Sequence, residues 1–257
     1  MQRERLDQRM AQLGLAESRA QAGNLIRQGL VTVDGVVADK AARTVLTSAV
    51  IAVLSPPRYV SRGALKLQAA VDHFGLDFRG CTVLDIGAST GGFTDYSLQH
   101  GAARVVCVDV GRGQLHPRLA GDVRVCNLEG VNARQLESEL LPVSHFDRVV
   151  IDVSFISLSL VLLPAWERLN EGGVLVALIK PQFEAGRREA ARGRGIIRDE
   201  DVRQETAERI RRFALMQLPQ AEEIGLLECP VAGSDGNREY LLVLQRRAAD
   251  LQESADV

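Results

Sequence analysis

Short, nearly continuous apolar runs recur through the later part of the chain, a pattern typical of strands buried on both faces of a parallel sheet. They predict seven strands, at residues 82–85, 104–109, 123–126, 146–153, 174–180, 221–228 and 239–245. Apolar residues at helical spacing predict intervening helices at residues 62–73, 91–100, 157–169 and 201–216. Because strands alternate with helices, we expect an α/β fold with a doubly wound, Rossmann-like sheet of seven strands.

The start of the chain has a different pattern. Apolar residues at helical spacing predict one helix over residues 3–13 and a second over residues 19–28, with Ser18 as the N-cap of the second. Two β-branched runs flank Asp34-Gly35, which is a hairpin signal. We therefore expect residues 1–55 to form a small α+β domain.

The prolines of Ser55-Pro56-Pro57 mark the boundary between these two parts, because proline resists helix and disfavours a continuing strand. We assign residues 56–61 to a linker and residues 62–247 to the main domain. Residues 248–257 form a C-terminal tail.

Composition narrows the class of protein. The 257 residues are 46% hydrophobic, enough to bury the cores of one medium and one small domain. The four cysteines form no C-x-x-C pair, so we expect neither a metal site nor disulfides. No apolar run approaches the roughly 18 residues that a membrane span needs, and no secretory signal is recognisable. We expect a cytoplasmic protein.

The net charge of -2 conceals an uneven distribution. Residues 1–60 hold eight Lys/Arg and five Asp/Glu, so a basic front part precedes an acidic body. This contrast indicates a nucleic-acid-binding module, although solvated helix faces would explain the charge alone equally well. The predicted RNA-binding residues are Arg5, Arg9, Arg19, Arg27, Lys40, Arg58 and Arg62.

A glycine loop follows the first strand of the main domain, with the spacing D-x-G-x-x-x-G-G rather than the G-x-G-x-x-G of pyrophosphate binders. Asp109 ends the next strand, where a ribose-binding carboxylate belongs in this architecture. An acid in the loop would repel a diphosphate but suits a cationic nucleoside, which favours S-adenosylmethionine over NAD. The predicted cofactor-binding residues are Asp85, Gly87, Ala88, Ser89, Gly91, Gly92, Phe93, Asp109, Asn127 and Asp152.

The N-terminal sequence resembles the RNA-binding domain first described in a small-subunit ribosomal protein and shared by pseudouridine synthases. The resemblance covers residues 3–50 and rests on Arg5-Leu6-Asp7-Gln8-Arg9, Gly14-Leu15-Ala16-Glu17-Ser18-Arg19 and residues 26–35. It implies a structured RNA as the ligand.

Four charged residues stand out in the main domain. Asp152 and Lys180 each close an apolar strand at the sheet edge where α/β proteins bind ligands, and Lys66 lies on the first helix. Together with Glu239, their Lys-Asp-Lys-Glu order resembles the FtsJ class of ribose 2′-O-methyltransferases. We predict that Lys66, Asp152, Lys180 and Glu239 are the catalytic residues.

The whole chain is similar to the TlyA family, whose members were often labelled haemolysins. The similarity rests on the motifs at residues 61–67, 150–157 and 179–186, besides the glycine loop and the basic front part. It implies S-adenosylmethionine-dependent 2′-O-methylation of cytidine in ribosomal RNA. The implied partners are ribosomal RNA or ribosomal subunits.

The implied reaction requires a base, because a ribose hydroxyl is a poor nucleophile until its proton is removed. We predict Lys180 as that base, since desolvation and the like charge of Lys66 would both favour a neutral amine. Asp152 is expected to orient Lys180, and Glu239 to hold Lys66 or the ribose.

Three alternatives remain open. The chain could be a non-catalytic RNA-binding protein with a degenerate cofactor fold, or a membrane-active haemolysin, although it has no long apolar segment. It could also methylate a base or a small molecule. Base N-methylation in this fold usually requires an Asn/Asp-Pro-Pro-aromatic motif, where this chain has Asp152-Val153-Ser154-Phe155.

Overall fold

The structure is a computed structural model that describes residues 3–16, 18–54, 58–186, 195–233 and 236–248. The chain forms two compact units, Met1–Arg58 and Tyr59–Val257. Pro56 and Pro57 of the predicted linker lie outside the described residues, as does the predicted tail after Ala248.

Within its described residues, the N-terminal unit contains two helices and five short strands. The helices are α1 (Leu6–Gln12) and α2 (Arg19–Arg27). The strands are β1 (Arg3–Arg5), β2 (Val31–Val33), β3 (Val36–Val37), β4 (Thr44–Leu46) and β5 (Ile51–Val53). β1 pairs with β4, and β2 lies between β3 and β5 in a second small sheet.

Two predictions about this unit have clear outcomes. Ser18 caps α2, because its side chain accepts a hydrogen bond from the backbone N–H of Gln21. The predicted helix over residues 3–13 is wrong at its start, since Arg3–Arg5 instead pair antiparallel with Thr44–Leu46. The three residues of β4 are too few to show a recognisable period, so this partner strand could not be predicted from the hydrophobic pattern.

The larger unit contains a seven-stranded sheet, which confirms the predicted α/β class. Its strands are β6 (Thr82–Ile86), β7 (Arg104–Asp109), β8 (Val125–Glu129), β9 (Phe146–Ile151), β10 (Leu169–Ile179), β11 (Ala221–Glu228) and β12 (Tyr240–Arg246). Their order across the sheet is β11-β12-β10-β9-β6-β7-β8. β12 runs antiparallel to both of its neighbours, and the pairs from β10 to β8 are parallel.

Helices cover both faces of this sheet. They are α3 (Gly63–Phe74), α4 (Gly92–Gln99), α5 (Pro117–Ala120), α6 (Leu162–Trp166), α7 (Pro181–Glu184) and α8 (Glu200–Gln217), with 3₁₀ turns at Ser138–Leu140 and Leu158–Leu160. Successive strand residues enter opposite cores: Val83 packs with Leu67 and Tyr96, whereas Leu84 packs with Trp166. Burial on both faces explains the continuous apolar runs.

Several predicted boundaries are wrong. The third strand of the sheet is β8, which runs to Glu129 rather than ending at Cys126. The helix predicted over residues 157–169 is instead a 3₁₀ turn followed by the five-residue α6, and Leu169 already begins β10 by pairing with Phe146. In the described part of the chain, no helix combines the length and apolarity that crossing a bilayer requires.

Candidate active site

Charged side chains from four separated segments meet in one cavity of about 540 Å³ beside the carboxyl ends of β6, β9 and β10. Lys66 comes from the first turn of α3, and Asp152 follows β9. Lys180 follows β10, and Glu239 precedes the antiparallel β12. The structure therefore brings together all four residues that the sequence singled out.

Lys66 and Glu239 form a buried ion pair. The Lys66 Nζ atom lies 2.6 Å from Glu239 Oε2, and the side chains are 10% and 2% exposed. Gln182 in α7 donates to the other carboxylate oxygen, Oε1, at 3.2 Å. Both oxygens of Glu239 are thus occupied, so its carboxylate holds Lys66 in a fixed position.

Lys180 and Asp152 form the second ion pair, with 2.5 Å between Nζ and Oδ1. Lys180 also donates to the hydroxyl oxygen of Ser154 at 2.8 Å. Each lysine therefore has its own carboxylate, which holds its nitrogen in place.

The positions of the loop require glycine mainly because neighbouring protein atoms leave no room for a Cβ atom. Gly87 has φ +82°, and a Cβ there would lie 2.6 Å from the carbonyl oxygen of Asp152. A Cβ on Gly91 would meet Leu119 at 2.3 Å, and one on Gly92 would meet the backbone of Ala64 at 2.9 Å. These glycines allow close packing of α4 and of the Asp152 segment, and Gly87 and Gly92 also line the cavity.

Other predicted cofactor residues line the same cavity, namely Asp85, Gly87, Ala88, Ser89, Gly92, Phe93 and Asp152. Gly91 does not. Asp85 is fully buried and accepts a hydrogen bond from Thr94 Oγ1 at 2.6 Å. Its Oδ1 atom has no hydrogen-bond partner among the described residues. Burial raises the pKa of Asp85 to about 7, so this carboxyl ionises with difficulty.

A second cavity of about 580 Å³ adjoins the first, and the two share Gly87, Ser89, Asp152, Ser154 and Phe155. Asp109 lines this second cavity, and its carboxylate accepts the backbone N–H groups of Ser89 and Gly111 at 2.8 and 2.7 Å. These bonds hold Ser89 in the left-handed region at φ 48°. Asp109 thereby fixes the glycine loop while it faces the cavity.

Asn127 does not line either of these two cavities, contrary to the prediction. The prediction placed it just after the strand, but β8 continues two residues beyond it, and its amide bonds to Glu129 at 3.0 Å. The following loop supplies Asn132 and Arg134 to the cavity instead. A correct position for the strand end would have identified them.

Two aromatic residues at the cavity were missed. Phe155 is 90% exposed and has φ 64°, a left-handed conformation that costs about 1–3 kcal/mol and is concentrated at functional sites. Its ring lies 4.9 Å from that of Phe183, and both line the cavity of Lys180. A strained backbone angle cannot be recognised in a sequence. The only hint was that Phe155 lies three residues after the predicted site residue Asp152.

Glu184 connects the two segments that carry these rings. Its carboxylate accepts hydrogen bonds from Ser157 Oγ at 2.7 Å and from the backbone N–H of Leu158 at 2.5 Å. α7, which follows Lys180, is thereby tied to the chain that follows Asp152 and Phe155.

The predicted RNA-binding residues lie in different surroundings. Arg5 and Arg19 are exposed and both contact Asp7. Arg9 is half-buried and donates to the carbonyl oxygen of Thr47 at 2.9 Å, so it does not project freely as expected. Arg27 bonds to Asn24, whereas Lys40 and Arg58 are exposed. Arg62, in the larger unit, is exposed and lines the cavity of Lys66.

Comparisons with known proteins agree with this architecture. Residues 59–246 match the FtsJ-like methyltransferase family, and residues 4–51 match the S4 domain. The 16S/23S rRNA (cytidine-2′-O)-methyltransferase TlyA of Mycobacterium tuberculosis is 41% identical, covering 95% of this chain and 90% of that protein.

Two further relatives carry a different name. Hemolysin A of Brachyspira hyodysenteriae is 39% identical, covering 92% of this chain and 98% of that protein. A solved structure from Streptococcus thermophilus, whose name also includes hemolysin, is 38% identical with a TM-score of 0.73. It covers 99% of this chain and 93% of that one.

Proposed function

Because the chain belongs to the TlyA family of FtsJ-like methyltransferases, we propose that it methylates the 2′-hydroxyl of cytidine in ribosomal RNA, using S-adenosylmethionine. The observation that carries this proposal is the pairing of Lys66 with Glu239 and of Lys180 with Asp152 in one cavity. Two lysines and two acids in this arrangement suit proton removal from a hydroxyl group.

The residues of the adjoining cavity fit S-adenosylmethionine. Asp109 offers carboxylate oxygens to ribose hydroxyls at the end of β7, and Val110, Val131 and Ile156 offer apolar surface to an adenine ring. Asp152 borders both cavities, which suits a cationic ligand. When bound, the cofactor supplies a methyl group on a sulfonium, from which displacement is easy.

Lys180 acts as the general base. In its neutral form Lys180 would accept the proton of the 2′-hydroxyl group, to which bound S-adenosylmethionine would supply the methyl group. Ser154 and Asp152, at 2.8 and 2.5 Å, fix the position of the Lys180 nitrogen. The carboxylate of Asp152 then stabilises the ammonium that proton transfer produces, because opposite charges in a buried site interact strongly.

Lys66 stabilises the negative charge that develops on the 2′-oxygen. Glu239 holds the Lys66 nitrogen at 2.6 Å, and Gln182 holds Glu239 in turn. A charge fixed in advance needs no reorganisation during the reaction, which is the main source of electrostatic catalysis.

The S4 domain supplies the RNA contact of this proposal, with ribosomal RNA or ribosomal subunits as partners. The 2′-hydroxyl distinguishes RNA from DNA, and a paired cytidine must be everted to enter the cavity. Phe155 and Phe183 offer aromatic faces on which an everted base can stack. We infer a cytoplasmic location, because ribosomes are found there.

The test is Lys180→Ala, assayed by transfer of labelled methyl groups to purified ribosomal RNA and ribosomal subunits. Loss of a general base lowers rates by about 100- to 10,000-fold, and we expect a decrease of that size with cofactor binding still measurable by calorimetry. Arg79→Ala is the matched control, since Arg79 is an 82% exposed cation paired with Asp77 on the surface.

Wild-type turnover by the Lys180→Ala protein would reject Lys180 as the base. Mass mapping of the product decides the position of the methyl group. If the wild-type protein places the label on a cytosine ring nitrogen, it is a base methyltransferase. If the wild-type protein labels no ribosomal RNA at all, it is a non-catalytic binding protein.

A further inference from the structure

One carboxylate lies beneath the basic surface of the N-terminal unit. Asp7, in the first turn of α1, is 5% exposed. Arg5 binds it through two parallel hydrogen bonds, Nε to Oδ1 at 3.0 Å and Nη2 to Oδ2 at 2.8 Å. Arg19 adds a third contact, from Nη2 to Oδ2 at 3.3 Å. A single buried acid thus holds two arginines.

The two arginines come from different elements but remain open to solvent. Arg5 ends β1 and Arg19 begins α2, and their side chains are 46% and 57% exposed. A guanidinium has five N–H donors. Arg5 uses two of its donors at Asp7, and Arg19 uses one. Their orientation is therefore fixed while other donors can still face an outside ligand.

Arg9 and Arg27 in the same unit are held differently. Arg9 is half-buried against Thr47, and Arg27 bonds to Asn24 within its own helix. Of the predicted RNA-binding residues named here, Arg5 and Arg19 thus share one acid, Asp7, whereas Arg9 and Arg27 do not bond to it. The simpler explanation is that Asp7 only stabilises the start of α1, where an acid is favourable.

We propose that Asp7 is a positioning residue for RNA: it presents the guanidinium groups of Arg5 and Arg19 together to neighbouring phosphates of a folded RNA. The proposal rests on the proposed function, because it takes the N-terminal unit to bind ribosomal RNA. Two pre-oriented guanidinium groups bind phosphates without the entropy loss of ordering two long side chains.

The sign of the effect of removing Asp7 separates positioning from charge. An acid beside a phosphate-binding surface repels RNA, so Asp7→Asn should strengthen binding if only net charge matters. If Asp7 positions the arginines, the same substitution should weaken binding by about tenfold, because both side chains must then be ordered by the RNA.

The experiment measures the affinity of the full chain for deproteinised 16S and 23S ribosomal RNA over a series of KCl concentrations. Asp7→Asn and Asp7→Glu are compared with Arg5→Ala and Arg19→Ala. Asp7→Glu keeps the charge but moves the carboxylate by one methylene, so it should also weaken binding. Asp39→Asn is the matched control, since Asp39 is an exposed acid of the same unit and should leave binding equal or slightly stronger.

A double-mutant cycle completes the test. Asp7→Asn should have little further effect on affinity when Arg5 and Arg19 are already alanine. With both arginines present, Asp7→Asn should make the slope of log affinity against log salt concentration shallower by about one to two. Helix stabilisation alone would give the same loss in every background. Circular dichroism identifies any variant that fails to fold, and Asp7→Glu then carries the test.

The outcomes distinguish the two proposals. If the arginine variants weaken binding but Asp7→Asn strengthens it or leaves it unchanged, positioning by Asp7 is refuted and RNA binding survives. If neither the wild-type chain nor any variant binds ribosomal RNA, the proposed function fails, and the positioning role fails with it.

Discussion

Gly87→Ala should separate the cost of a strained backbone from the loss of the site. A methyl group at this position would lie 2.6 Å from the carbonyl oxygen of Asp152, 2.9 Å from its carbonyl carbon and 3.2 Å from the Cα atom of Val153. All three are backbone atoms, so no side-chain rotation can relieve the contact. The segment that carries Asp152 must move.

The magnitude has two parts. Alanine in the left-handed region costs about 1–2 kcal/mol, and overpacking against rigid neighbours costs about 1–3 kcal/mol more. At about 2–4 °C per kcal/mol for a unit of this size, the melting temperature should fall by about 4–20 °C. Movement of Asp152 should also release Lys180, and methyl transfer should be lost.

Gly75→Ala is the matched control. Gly75 ends α3 with φ +67°, and in the described part of the chain a Cβ there would meet no atom within 4 Å. It pays only the left-handed cost, so its melting temperature should fall by about 2–8 °C.

The assays are thermal unfolding, calorimetric titration with S-adenosylhomocysteine, and methyl transfer at a temperature where both variants are folded. We expect normal cofactor affinity and turnover for Gly75→Ala and loss of both for Gly87→Ala. The reasoning is refuted if Gly87→Ala has the same melting temperature as Gly75→Ala and binds S-adenosylhomocysteine as tightly as the wild-type protein.

Two further predictions concern Phe155 and Asp85. Phe155→Gly should preserve the fold, because glycine adopts φ 64° without steric cost, but should raise the KM for RNA by about 5- to 100-fold through lost stacking; an unchanged KM in steady-state assays would contradict it. The pKa of Asp85 is raised by burial from 3.8 to about 7, so the folded cofactor-free protein binds more protons than the unfolded chain between these values. Stability measured by urea unfolding should therefore fall as pH rises from about 4 to 7, and Asp85→Asn should flatten this decline; parallel curves for the two proteins would show that Asp85 does not cause it.

The sheet, Asp152 and Lys180 could be predicted from the sequence for a physical reason. Strands buried on both faces leave long apolar runs, and a charge that closes such a run, as Asp152 and Lys180 do, is conspicuous. The pairing of Lys66 with Glu239 has no such signal in the apolar pattern, and it was expected only after the resemblance to the FtsJ class had been noted. Lys66 and Glu239 are 173 residues apart, and only the order of strands across the sheet brings them together.

Features that depend on local geometry were also beyond the sequence. β4 and β5 have three residues each, too few to show a period, and the left-handed backbone of Phe155 leaves no compositional trace. The end of β8 was misplaced by three residues, so Asn127 was expected just after the strand and instead lies within it. The glycines of the loop were located correctly, but the neighbours that require them come from other segments.

β12, the last strand among the described residues, occupies an interior place in the sheet, between β10 and β11. A growing polypeptide that has been synthesised only as far as residue 238 lacks both this strand and the acid that anchors Lys66. The enzyme should therefore acquire its chemistry only after β12 has been synthesised. Premature termination anywhere before Glu239 should yield an inactive product, even though the residues that line the second cavity have already been made.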